Sequence, residues 1–253
     1  MTSPDATHVS TSRRSLVRGA AWSVPTISMV AAAPAFAASP CDPQTYRIDW
    51  GTTPYTPPGS LTASPNVGTA VVAGSAGGQS MNVTFASTLG GTATRYDANL
   101  TVLSTLNIGG LGANERGLAV RSTNTSLVNA NRQTITVTFG RAVSALSFTV
   151  VDVDLAANFA DRVSFSPLPT RYTRAATVAG VGNFGLETTT NDGAFRYTGP
   201  SGGIDDTSAA GNVTITYDGG PSFTSFQLIY WNAGTPGPQG ILLSDFTFTA
   251  NGC

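Results

Sequence analysis

Three aspartates, Asp152, Asp154 and Asp161, are the residues of this chain whose types and spacing best suit a metal site. Asp152 and Asp154 follow an alternating apolar run, and we expect them to continue the core face of that strand. Buried carboxylates need compensating charge. Calcium takes 6–8 oxygen ligands, mainly carboxylates and carbonyls. We therefore predict a structural calcium site formed by the three aspartates, with Asn158 as an added amide ligand and Asp245 as a more distant candidate.

A second interpretation of the same residues needs no metal. If the strand ends at Asp152, the carboxylates cap a turn or meet Arg162 in solvent. The spacing also lacks the glycine and the ligand positions of an EF-hand loop. Both interpretations remain open from the sequence.

The segment Tyr230-Trp231-Asn232 is the candidate ligand-binding patch. An exposed aromatic ring can stack on the face of a sugar, and the asparagine amide can bind hydroxyl groups. The sequence therefore predicts a carbohydrate site at these three residues. The alternative is that Tyr230 belongs to the core and Trp231 lies on an ordinary sheet face.

Histidine usage excludes several kinds of catalytic site. The only histidine is His8, which lies in the leader-like segment described below. Residues 38–253, which follow that segment, therefore contain no histidine. A Ser-His-Asp or Cys-His nucleophilic site and a histidine-ligated zinc or iron centre are thereby excluded. Acid–base chemistry would depend on Asp, Glu or Tyr, and neither Glu115 nor Glu187 lies in a recognisable signature. We predict no catalytic residues, with a carboxylate-dependent polysaccharide hydrolase as an alternative.

The N-terminal segment has the features of a leader. Arg13 and Arg14 precede a mildly apolar stretch that ends in Ala35-Phe36-Ala37. This order resembles a twin-arginine export signal, and the leader is similar to those of exported proteins of high-GC Gram-positive bacteria. The resemblance implies the twin-arginine translocase and a signal peptidase as partners during export. It also implies cleavage after residue 37 and an extracellular or cell-envelope location.

The alternative to cleavage is a membrane anchor. A spanning helix needs roughly 20 strongly apolar residues. Here Pro25 and Pro34 interrupt the run and alanine dominates it. We predict no stable membrane span after cleavage.

Charge and cysteine usage restrict the remaining chain. Arg13, Arg14, Arg18 and Asp5 all precede Ala38, which leaves a net charge of −3 for residues 38–253. Without a basic patch, nucleic acid is not an expected partner. The two cysteines, at positions 41 and 253, lie close to the two ends of this region. In an oxidising compartment they predict a Cys41–Cys253 disulfide, with free or intermolecular thiols as the alternative.

Alternation of apolar and polar residues runs through residues 38–253. Period-two patterns of β-branched and aromatic residues, separated by turns rich in Gly, Asn and Asp, predict half-buried antiparallel strands. We predict an all-β fold, an antiparallel β-sandwich in a single domain over residues 38–253, preceded by a signal peptide over residues 1–37. The clearest alternating runs lie at residues 46–50, 81–85, 134–139, 146–150, 212–217, 226–230 and 246–248.

A resemblance to bacterial cell-surface β-sandwich modules is visible in two places. The segment Ile135–Phe139, the strand that ends in Asp152-Val153-Asp154 and the following Asp161-Arg162-Val163 resemble the pattern of those modules. The tail from Tyr230 to Phe248 resembles their final hairpin. The resemblance implies a jelly-roll-like sandwich that attaches to surfaces or binds carbohydrate or an envelope polymer. A structural envelope protein without a small ligand is the alternative function.

Overall fold

The computed structural model describes residues 41–75, 78–123, 128–184 and 193–253. The predicted leader, residues 1–37, lies outside the described residues. The first eight strands are β1 (Pro43–Ile48), β2 (Tyr55–Thr56), β3 (Asn66–Val72), β4 (Met81–Leu89), β5 (Thr94–Arg95), β6 (Leu118–Thr123), β7 (Arg132–Val151) and β8 (Leu155–Ala156). The next eight are β9 (Phe159–Ser166), β10 (Arg171–Arg174), β11 (Val178–Ala179), β12 (Arg196–Tyr197), β13 (Val213–Tyr217), β14 (Phe223–Asn232), β15 (Pro238–Leu243) and β16 (Phe246–Asn251).

The 20-residue strand β7 belongs to both layers of a β-sandwich. Its first half pairs with β4 on one side and β14 on the other, and the first layer has the order β2-β3-β4-β7-β14-β9-β8. Its second half pairs with β13, which carries β10, and with β16 and β15, which carry β1 and β6. All pairings between named strands are antiparallel. The predicted all-β antiparallel fold is confirmed.

The change of layer within β7 occurs around residues 140–145. The β14 partner of β7 shifts from Thr138 to Val143 between Ser225 and Phe223, which is an irregularity in the ladder. Ala145 has a φ of 50°, a left-handed conformation that a non-glycine residue adopts only in a bulge or turn. These irregularities let one strand leave the first layer and enter the second.

Aromatic side chains from both layers fill the core. Phe148 of β7 stacks on Phe246 of β16, with ring centroids 4.4 Å apart. Trp50 packs edge-on against Phe85 and Phe246, at 5.4 and 6.1 Å. Each such side chain contributes about 1.5–3 kcal/mol through its burial. The threonines that alternate with core residues in β7 and β13 are partly buried or exposed, as the period-two pattern predicts, except Thr149, which is 6% exposed.

The disulfide predicted between Cys41 and Cys253 is present, with the two Cα atoms 4.6 Å apart. It lies next to the β1–β16 ladder, in which Pro43 is opposite Asn251. One covalent bond and one strand pair therefore hold the two ends of the described chain together. No helix in the described part of the chain has the length and apolar character to span a bilayer.

Candidate functional site

The Asp152 backbone ends the alternation of β7. The strand stops at Val151, and Asp152 adopts a φ of 68°, in the left-handed region. The following Val153 then returns to the main core. The prediction that Asp152 and Asp154 continue the face of Leu146, Phe148 and Val150 is therefore wrong. The physical reason is the left-handed turn, which aspartate tolerates better than most residues and which alternation alone does not reveal.

Asp161 is fully buried and bound to its neighbours. Its Oδ1 accepts a 2.7 Å hydrogen bond from the Tyr230 hydroxyl, and its Oδ2 accepts a 3.2 Å bond from the Asp154 backbone N–H. Burial, followed by the charge of Asp154, raises the pKa of Asp161 well above its usual value. Asp161 does not line the cleft that Asp152 and Asp154 share. The three aspartates predicted to bind calcium therefore do not face one open site.

A cleft of about 370 Å³ opens beside the end of β7. It lies between the loop at residues 202–206, the turn after β5 and the start of β15. Its lining includes the carboxylates of Asp152, Asp154 and Asp206 together with Tyr96, Arg121 and Gln239. Three acidic groups and one basic group therefore meet among the described residues of this lining. We call it the Asp152 cleft.

Backbone hydrogen bonds hold the loop at residues 202–206 against the cleft. The N–H groups of Gly202 and Gly203 both donate to the carbonyl of Leu155, at 3.0 Å each. The N–H of Ile204 donates to Asp154 Oδ2 at 2.9 Å. Gly203 has a φ of 76°, which an L residue rarely adopts, so glycine suits this turn. Asp154 Oδ2 therefore helps to position the loop that carries Asp206.

The other wall of the cleft is formed by the β6–β15 pair. Arg121 lies directly across from Gly240, where a Cβ atom would come within 2.7 Å of Arg121 Cγ. The absence of a side chain at Gly240 therefore lets the arginine cross β15. The Arg121 backbone N–H donates to buried Asn99 Oδ1 at 2.9 Å, and its guanidinium donates to Asp97 at 2.5 Å. These contacts hold in place Arg121, the only basic side chain among the described residues of the lining.

Two carboxyl pairs lie in and beneath the cleft. The carboxyl group of Asp206 interacts with that of Asp152, and the carboxyl group of Asp161 interacts with that of Asp154. Burial, then the charges of Asp154 and Asp206, raise the pKa of Asp152 to about 9. Burial also raises the pKa of Asp154. A carboxyl group whose pKa is raised this far keeps its proton at neutral pH, so Asp152 is uncharged there.

Polar atoms around the cleft also remain unsatisfied. Asp152 Oδ1 is buried and has no hydrogen-bond partner. Gln239 is 6% exposed, and neither its Oε1 nor its Nε2 has a partner. Such groups cost about 1–3 kcal/mol each when they are left unpaired. Asp152 Oδ1 and the Gln239 amide are enclosed by protein, so they offer no surface to a ligand in the cleft.

Tyr230, Trp231 and Asn232 are all fully buried, so the predicted exposed carbohydrate patch is wrong. Tyr230 belongs to the main core and donates to Asp161, while Trp231 packs edge-on against Phe184 at 5.7 Å. Asn232 Oδ1 accepts hydrogen bonds from the N–H groups of Ala160 and Gly234, so its amide holds a turn. Burial on both faces of β14, between β7 and β9, is the physical reason.

A second cleft, of about 610 Å³, contains Asp245, the more distant candidate for calcium. The Asp245 carboxylate accepts hydrogen bonds from the Arg47 guanidinium at 2.7 Å and from the Trp50 backbone N–H at 2.9 Å. The Asp245 backbone N–H in turn donates to Glu115 Oε1 at 2.9 Å. Burial raises the pKa of Glu115. These carboxylates join β1, β16 and the segment before β6, so Asp245 takes no part in the Asp152 cleft.

Sequence reasoning missed four residues of the Asp152 cleft. Asp206 is half-buried at the cleft while its neighbour Asp205 is exposed, and no pattern in the sequence distinguishes the two. Tyr96, which is 43% exposed, stands in a turn-rich segment without a strand pattern. Arg121 and Gln239 come from strands whose pairing is not visible in the sequence. Only the D-x-D pattern could have pointed to this place.

Within the described ranges, no group of three or more His, Cys, Asp or Glu side chains is placed to hold a metal ion. The chain was also compared with protein-family models, with curated proteins and with solved structures. None of the three comparisons finds a match.

Proposed function

We propose that this protein is a secreted or cell-envelope β-sandwich that binds carbohydrate or a similar hydroxyl-rich envelope polymer in the Asp152 cleft, without catalysing a reaction. The leader-like segment before Ala38 supports the location. The observation that carries the binding role is the cleft itself, which is lined by exposed Tyr96 together with Asp154, Asp206 and Arg121.

The lining suits a polyol better than an apolar ligand. A tyrosine ring offers an apolar face for the C–H surface of a sugar. Carboxylates and a guanidinium form strong, directional hydrogen bonds with hydroxyl groups. Asp154, Asp206 and Arg121 line the same cleft, which favours a ligand with several hydroxyls.

A glycan array probed with the purified protein tests this proposal. We expect binding to a subset of polysaccharides, with affinity reduced at least about tenfold by Tyr96→Ala because one stacking face is lost. Tyr172→Ala is the matched control, since Tyr172 is also an exposed tyrosine but lies on β10. Circular dichroism of each variant checks that the fold is retained.

Other results of these binding experiments would favour the alternative functions, a structural envelope protein or a hydrolase. Absence of binding to every glycan and to isolated envelope polymers contradicts the binding role and favours a structural envelope protein. Release of reducing ends from a bound polysaccharide contradicts the non-catalytic part of the proposal. A loss of binding that is equal in Tyr96→Ala and Tyr172→Ala places the ligand outside the Asp152 cleft.

A further inference from the structure

A further cavity, of about 240 Å³, lies where β7 changes layer. Ala145 of β7, with its left-handed backbone, lines it on one side. On the other sides lie Tyr217, which ends β13, and Phe223, which begins β14. Because β7 pairs with β14 up to Val143 and with β13 from Leu146 onwards, the change of partner leaves space between these two strand ends. We call this space the layer-change pocket.

Apolar side chains make up much of the lining of the layer-change pocket. Pro167, Leu168, Pro221 and the ring of Phe223 all contribute to it. Leu168 is 46% exposed, and both prolines are exposed as well. Exposed apolar groups gathered around one cavity are typical of a ligand-binding site, whereas scattered ones are ordinary surface.

The protein itself occupies most polar groups of this lining. The Tyr217 hydroxyl donates to the Pro167 carbonyl at 2.9 Å, so Tyr217 offers its ring to the pocket. The Thr170 hydroxyl donates to Asp218 Oδ1 at 2.9 Å. Among the described lining residues, the other polar side chains are the hydroxyls of Ser144 and Ser222. A ligand with many hydroxyl groups would therefore leave most of them without partners.

The strands beside the pocket are paired on both sides. β13 lies between β10 and β7, and β7 at Val143 lies between Phe223 of β14 and Ala250 of β16. A polypeptide that binds by adding a strand needs an unpaired strand edge. The pocket therefore suits a small molecule that enters a cavity better than an extended peptide.

We propose that the layer-change pocket binds a small, uncharged aromatic molecule with at most one hydroxyl group. An apolar cavity of roughly 150 Å³ holds benzene, so a cavity of about 240 Å³ accommodates a substituted ring. Tyr217 and Phe223, with ring centroids 5.3 Å apart, supply aromatic contacts. This pocket and the Asp152 cleft share no lining residue, so the site does not depend on the proposed carbohydrate binding.

Titration of the ¹⁵N-labelled full chain with phenol, followed by amide NMR spectra, tests this site. We expect saturable shifts confined to the pocket, including the amides of Leu168 and Gly220, with a dissociation constant of about 1 mM for a ligand of this size. Benzoate should bind at least about tenfold more weakly, because the described lining has no basic side chain to pair with its carboxylate. Glucose should leave these amides unchanged, because few polar groups remain for its hydroxyls.

Two variants locate the bound phenol. Ser222→Phe places a ring in the pocket and should abolish the shifts. Ser225→Phe is the matched control, because Ser225 is also an exposed serine but does not line the pocket, and it should bind phenol normally. Leu168→Ala removes apolar surface without filling the pocket, so it should weaken binding at least about threefold. Circular dichroism checks the fold of each variant, and Leu168→Ala decides the matter if Ser222→Phe does not fold.

Three results would overturn the aromatic site. The first is the absence of saturable shifts at phenol concentrations about tenfold above the expected dissociation constant. The second is phenol binding that Leu168→Ala does not weaken, or that Ser222→Phe and Ser225→Phe weaken equally, since the ligand then lies elsewhere. The third is glucose that shifts the same amides as phenol, which would make the pocket a sugar site.

Discussion

At the scale of single residues, Asp161 shows what a buried carboxyl group does in this sandwich. It lies fully inside, accepts from Tyr230 and from the Asp154 backbone, and has a pKa raised by its burial. Buried carboxyl groups are tolerated when their oxygens are hydrogen-bonded. The pair of Asp161 and Tyr230 therefore joins β9 to β14 through a polar contact within the core.

Removal of the Tyr230 hydroxyl tests this contact. Tyr230→Phe leaves Asp161 Oδ1 buried without its donor, so we expect the free energy of unfolding to fall by about 1–3 kcal/mol. Urea denaturation followed by fluorescence gives the value. Tyr172→Phe, at the surface, should stay within about 0.5 kcal/mol of the unmodified protein. Equal effects in the two variants would contradict a structural role for the Asp161 contact.

The raised pKa of Glu115 predicts how the free energy of unfolding depends on pH. Its pKa is raised in the folded state, mainly by burial, so the folded chain holds a proton that the unfolded chain has lost. Stability therefore falls as pH rises from the unfolded value of about 4.3 through the raised value. Glu115→Gln keeps an oxygen for the Asp245 N–H but does not titrate. Urea denaturation at several pH values should show the unmodified chain losing stability relative to Glu115→Gln over this interval. A constant difference would contradict the raised pKa.

At the scale of elements, the period-two pattern predicts most of the core strands but not where their alternation fails. Residues 134–139 and 146–150 lie in β7, and residues 212–217 and 226–230 overlap β13 and β14. The pattern does not reveal that β7 continues across Gly140 into the second layer. Nor does it reveal the left-handed turn at Asp152, because one backbone dihedral moves a side chain without changing the sequence spacing.

The candidate site was harder to predict than the strands, because most of its residues come together only in the folded chain. The D-x-D pattern pointed to Asp152 and Asp154, but Asp206, Arg121 and Gln239 arrive through long-range pairing. Tyr230-Trp231-Asn232 looked like a surface patch because a strand covered on both faces cannot be distinguished locally from one covered on a single face.

The turn at Ala209–Gly211, beside the cleft loop, gives a prediction at this scale. A Cβ atom at Gly211 would lie 2.7 Å from the Val153 carbonyl oxygen and 2.6 Å from Ile204 Cδ1. We expect Gly211→Ala to lower the free energy of unfolding by about 1–3 kcal/mol, because the backbone of Val153 must shift. Thermal denaturation compares it with Gly59→Ala, where no atom lies within 4 Å. A Gly211→Ala variant as stable as Gly59→Ala would contradict this tight packing.

At the scale of the whole molecule, the Cys41–Cys253 bond closes a loop across a sequence separation of 212. A covalent closure of this length removes many conformations from the unfolded chain. The bond therefore acts on the unfolded state at least as much as on the β1–β16 pair that it borders.

Reduction of this bond should lower the free energy of unfolding by up to about 5 kcal/mol, since the effect on the unfolded chain grows with loop length. Urea denaturation with and without dithiothreitol measures the change. A variant with both Cys41→Ser and Cys253→Ser should have the lower stability and should not respond to dithiothreitol. A response of this double variant would show that the reagent acts elsewhere.

The shared strand β7 also sets an order of events during synthesis. Of its partners, β4 precedes it in the chain, whereas β13, β14, β15 and β16 follow it. A nascent chain that has not yet reached residue 213 therefore exposes most of the hydrogen-bonding edge of a 20-residue strand. Exposed edges of this kind are templates for association between chains. Until the last sixth of the sequence has been synthesised, most of this edge is therefore unpaired and can associate with another chain.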